Sequence, residues 1–63
     1  MSENFIDLEQ VAKILRVSRR TVLRLLAKKE IKGFKVGRAW RFAQSDIDAY
    51  VEQQRKKAEE HAA

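Results

Sequence analysis

Arg20, Arg24 and Lys28 fall at i, i+4 and i+8. On a helix turning roughly 100° per residue they form one stripe, with Thr21 beside it. No acid occurs from Arg19 to Lys29. Like charges four residues apart destabilise an isolated helix, and a face that only keeps a chain soluble would more usually alternate in sign. The plain alternative is a solvated charge run. A partner that uses such a stripe is a polyanion. In the major groove of DNA an arginine bridges O6 and N7 of guanine, and a threonine meets the thymine methyl.

A second set of cations is Lys35, Arg38 and Arg41. Its ordinary reading is protection of exposed strand edges by charge; its functional reading is contact with phosphates or a minor groove. Trp40 between them could stack on a base, but it alternates with Phe42 and reads first as core. The whole middle of the chain shares this bias. Residues 13–41 hold eleven Lys or Arg and one acid, Glu30, whereas the other eight acids lie in 3–9 and 46–60. The net charge is +5, and a concentrated cationic segment is the electrostatic footprint of a nucleic-acid partner.

The elements that must carry these side chains follow from caps and periodicity. Asp7 is an N-cap, and Gln10 three residues later completes a capping box. Ile6 and Val11 are placed as a hydrophobic staple, and Leu8, Val11, Ala12 and Leu15 mark one face of a helix over about 8–15. Ser18 caps a second helix, about 19–28, with Val22, Leu25, Leu26 and the alkyl stem of Lys29 facing inward. The link of Arg16, Val17 and Ser18 is short enough to force the two helices to cross steeply, as in a helix-turn-helix.

The period then changes to two. Phe34, Val36, Trp40 and Phe42 alternate with Lys35 and Arg41, and Gly37-Arg38 supplies a tight hairpin turn. The aromatic face is expected on the helices, with Lys35 and Arg41 outward. Ser45 caps a third helix whose apolar face is Ile47, Tyr50 and Val51. The domain is expected to span 1–51, and residues 52–63 read as a polar helical extension or frayed tail. The fold class is mostly α with a small β-hairpin: a winged helix-turn-helix of three helices and a two-stranded wing.

Several function classes are excluded. A chain of 63 residues has too small a core to carry a large catalytic cleft. It shows no nucleophile–base pair and no phosphate-cradling glycine loop, so no enzyme is expected. With no Cys and one His, His61 in the polar tail, no metal or other cofactor is expected. No apolar run serves as a secretion signal from Met1 to Asp7 or spans a membrane, so a cytoplasmic, nucleoid-associated protein is expected.

The run DLEQVAKILRVSRRTVLRLLAKKEIKGFKVGRAWRFAQSDIDAYV, residues 7–51, resembles the excisionase-family and MerR-like winged helix-turn-helix DNA-binding domains. The matching pieces are EQVAKIL, VSRRTVLRLL, KVGR, WRF and SDIDAYV. The resemblance implies that Ser18, Arg19, Arg20, Thr21 and Arg24, with Lys28 continuing the stripe, belong to a recognition helix, and that Lys35 to Arg41 form the wing. Arg16 and Lys29 stand where the family often has Gly, so both are expected in left-handed backbone.

The expected partner is double-stranded DNA, bound by a small bacterial transcriptional regulator or architectural factor that is monomeric in solution and able to sit beside neighbouring copies on DNA. No small-molecule ligand is expected. The alternatives are an excisionase of a phage or mobile element, which would use the same contacts, and a protein-interaction adaptor.

Overall fold

The computed structural model describes residues 4–62, with side chains through residue 60. Residues 1–3, which begin the segment read above as lacking a secretion signal, and the His61 side chain lie outside the described residues. The chain runs β1 (Phe5–Asp7), α1 (Leu8–Leu15), α2 (Arg19–Ala27), β2 (Phe34–Val36), β3 (Ala39–Ala43) and α3 (Gln44–Ala62). This is the mostly helical winged helix-turn-helix that the sequence implied, with one added strand.

Asp7 ends β1 and caps α1. Its carboxylate accepts from the Gln10 N–H at 2.8 Å, and the Gln10 side chain accepts from the Asp7 N–H at 3.1 Å, so both orphan donors are satisfied reciprocally. α1 ends at Arg16 in the left-handed region, φ 57°. There the Val17 N–H reaches Ala12 O at 3.0 Å and the Arg16 N–H reaches Lys13 O at 3.2 Å. α2 ends in the same way. Lys29 has φ 62°, and the Glu30 and Lys29 N–H groups donate to Leu25 O and Leu26 O, each at 3.0 Å. Both are Schellman closures, built here on cationic residues in place of glycine. Lys29 therefore lies beyond the helix and is exposed, and its stem does not extend the apolar face of α2 as expected.

The wing is the β2–β3 hairpin of a three-stranded antiparallel sheet ordered β1-β3-β2. A two-stranded hairpin is marginal by itself, and β1 gives β3 a second partner. Ile6 pairs with Phe42, so it is a strand residue as well as a member, with Val11, of the core. The hairpin turns through two residues because Val36 pairs with Ala39. Gly37 has φ 64° and Arg38 does not have positive φ, as in a type II′ turn.

The core is Ile6, Val11, Ala12, Val22, Ile31, Phe42 and Ile47, with Leu8, Leu15, Leu25, Leu26, Trp40 and Tyr50 packed around it. Among the described residues no polar or charged one is buried. Ile31, in the connection between α2 and β2, joins this core although no periodic pattern marks it. α3 begins at Gln44, directly after β3, and the Gln44 N–H donates to Asn4 O at 2.8 Å. Ser45 thus falls inside the first turn of α3 and not before it.

Candidate nucleic-acid interface

α2 places the stripe on the outside. Val22 is fully buried and Leu25 and Leu26 pack on the core, which turns Arg20 and Arg24 to solvent, with Lys28 as the exposed C-cap residue. No acid occupies the first turn of α2. Ser18 is a positioning residue: its hydroxyl accepts from the Thr21 N–H at 3.2 Å and lies 3.1 Å from the Thr21 hydroxyl. That bond fixes where α2 begins, and so which way each later side chain points. Thr21 is half-buried, on the edge of the helix next to Leu25.

Arg19 is paired. Its Nη1 donates to Glu9 Oε1 of α1 at 3.0 Å, with both side chains about two-thirds exposed, at 65% and 68%. An exposed pair of this type contributes about 1 kcal/mol at most, so Arg19 can exchange its carboxylate partner for another anion at small cost.

The wing differs from its expected arrangement. A two-residue turn makes even-numbered residues of β2 face odd-numbered residues of β3: Phe34 opposes Arg41, Lys35 opposes Trp40 and Val36 opposes Ala39. Directly opposed residues share a face of the sheet. Phe34 and Val36 therefore do not join Trp40 and Phe42 on the helices; they lie on the other face, 46% and 58% exposed. There Phe34 meets Phe5 edge to face, with ring centroids 5.4 Å apart. Lys35 and Arg41 consequently point to opposite sides and do not share the expected outward face. Lys35 Nζ stands 5.5 Å from the centroid of the Trp40 ring, a cation–π distance. Arg41 is half-buried and donates through Nη1 to Trp40 O at 3.1 Å. Arg38, in the turn, is exposed. Trp40 stacks on Phe42 at 6.3 Å and is only half-buried, so it is a border of the core more than its centre.

Leu23 was not singled out by the cation pattern. It is 42% exposed and stands about 60° from Arg20 on the helical wheel, at the edge of α2 that turns toward the wing. The signal was present in the sequence, as an apolar side chain outside the apolar face.

The two elements thus present a cationic helix face beside a cationic hairpin, an arrangement that can make electrostatic and hydrogen-bond contacts with an extended anion. Among the described residues no cluster of His, Cys, Asp or Glu could hold a metal ion, and no helix is long and apolar enough to cross a membrane. No curated protein and no solved structure matches the chain significantly. The helix-turn-helix domain family matches residues 5–55, which takes in every strand, α1, α2 and more than half of α3. The chain belongs to this helix-turn-helix family of excisionase-like DNA-binding domains.

Proposed function

We propose that the protein recognises a specific sequence in double-stranded DNA, with α2 in the major groove and the β2–β3 wing on the flanking backbone or minor groove, as a small transcriptional regulator or architectural factor. One observation carries this reading. Arg20, Arg24 and Lys28 are all exposed on one side of the second helix of a helix-turn-helix, and no acid of α2 neutralises them. In this reading Arg20 and Arg24 reach base edges and Thr21 lies beside them, Arg19 and Lys28 meet phosphates at the two ends of the helix, and Ser18 holds its start. Arg38 touches backbone or minor groove from the tip of the wing. Lys35 joins it from the Trp40 face and Arg41 from the opposite face.

The salt dependence of binding tests this docking. Engagement by both helix and wing neutralises roughly five to seven phosphates, so the slope of log K against log salt is expected at about −4.5 to −6. A slope shallower than about −2 on duplex DNA would contradict docking through two elements. The family to which the chain belongs also supports an excisionase, which directs recombination by the same contacts. Stimulation of integrase-dependent excision without an effect on a nearby promoter would favour that role.

A further inference from the structure

Between α2 and the wing lies an open groove of about 540 Å³. Leu23, Leu26 and Ala27 of α2 line one side, and Trp40 of β3 lines the other, with Ile31 and Gly33 between them. Lys29 and Lys32 also line it, and Lys35 reaches over the Trp40 ring at 5.5 Å. Among the described residues no acid lines the groove.

We infer that this groove seats one sugar–phosphate strand of the duplex, with deoxyribose against Leu23 and Trp40 and the adjoining phosphates on Lys32 and Lys35. The inference rests on the docking proposed above. If α2 enters the major groove and the wing reaches the neighbouring minor groove, the object between them is the backbone ridge that separates the two grooves. The composition of the cleft fits that object. Deoxyribose presents C–H surface and phosphate presents charge, and the cleft offers an apolar lining with cations and no carboxylate. Leu23, an exposed leucine on a cationic helix, gains a role by burial against the sugar. A backbone contact of this sort supplies affinity and register without reading sequence.

Three measurements on the whole chain test this. Leu23→Ala removes apolar surface but no charge. Affinity for the best site and for scrambled duplex should fall by the same factor, on the order of 5-fold, with the salt slope unchanged. Lys32→Ala should weaken both duplexes and flatten the slope by about one unit. Trp40 is the only tryptophan, so its fluorescence in the unmodified protein reports on the groove, and saturating duplex should protect it at least about two-fold from acrylamide quenching. That last measurement needs no variant.

Salt-dependent binding that leaves Trp40 fully quenchable would overturn the groove while leaving the docking of α2 intact. A Leu23→Ala defect confined to the specific site would overturn it too, by making Leu23 a base-reading residue. Absence of duplex binding by the unmodified protein would overturn the docking and the groove together.

Discussion

The two cationic regions of this protein are built differently. On α2, Arg20, Arg24 and Lys28 are exposed on one side of a single rigid element whose start is fixed by Ser18 and whose end is closed at Lys29. On the wing the three cations diverge: Lys35 lies on the face of Trp40, Arg38 in the turn, and Arg41 on the opposite face, tied to a backbone carbonyl. Helical periodicity converges side chains, whereas strand alternation splits them between two faces. A converging set can match the donor and acceptor pattern of adjacent base pairs. A divergent set cannot, but it can hold a curved, repetitive backbone. In the docking proposed above, this difference assigns reading to the helix and holding to the wing.

Both regions depend on one small core, and Phe42 is its largest fully buried side chain. Truncation of Phe42 to alanine should have the greatest effect of any single change, a loss of about 3–5 kcal/mol. That is a large share of the stability of so small a domain. Thermal melts without DNA should show helices and wing lost in one transition. A variant that kept its helical signal while losing the wing would show that the two regions are supported separately.

Gly33 ties the approach to the wing to the same core. A Cβ there would stand 2.6 Å from Phe42 Cε2, 2.9 Å from Cδ2 and 3.1 Å from a Leu26 methyl. The ring is wholly buried and cannot swing away. Gly33→Ala should therefore cost about 1–3 kcal/mol through overpacking, seen as a lower Tm.

On the helical side the expected change has the other sign. Arg16 holds a left-handed conformation that costs a residue with a side chain on the order of 1 kcal/mol. Arg16→Gly should leave Tm unchanged or raise it, the relief being partly offset by the greater freedom of glycine in the unfolded chain. A clear loss of Tm would show that the Arg16 side chain makes a contact the helix-turn-helix needs.

The helix-turn-helix was legible in the sequence because its signals are local. Asp7 with Gln10, and Ser18 with Thr21, make their cap bonds within three residues, and the left-handed positions at Arg16 and Lys29 follow from family resemblance at the helix ends. The turn at Gly37 is local in the same way. The sheet was less legible because its determinants are distant. β1 is three residues long, and its partner lies in β3, with Phe5 paired to Ala43; so short a segment has no period to read.

The faces of the wing are likewise set by pairing across the hairpin and not by local alternation. Phe34, Val36, Trp40 and Phe42 have the same parity in the chain, but a two-residue turn pairs even with odd across the hairpin and sends Phe34 and Val36 to the other side. Ile31 and Leu23 belong to no periodic pattern either. One is core without a neighbour in any repeat, and the other is apolar on a face defined by charge.

The division of labour between helix and wing is tested most directly by comparing Arg24→Ala with Arg38→Ala on the best site and on scrambled duplex at several salt concentrations. A bidentate base contact carries about 1–3 kcal/mol of discrimination, whereas a phosphate contact carries none directly. Arg24→Ala is expected to lower specific binding more than non-specific binding and so narrow their ratio. Arg38→Ala is expected to weaken both about equally and flatten the salt slope by about one unit. If Arg38→Ala collapses the ratio while Arg24→Ala leaves it intact, the wing, and not the helix, selects the sequence.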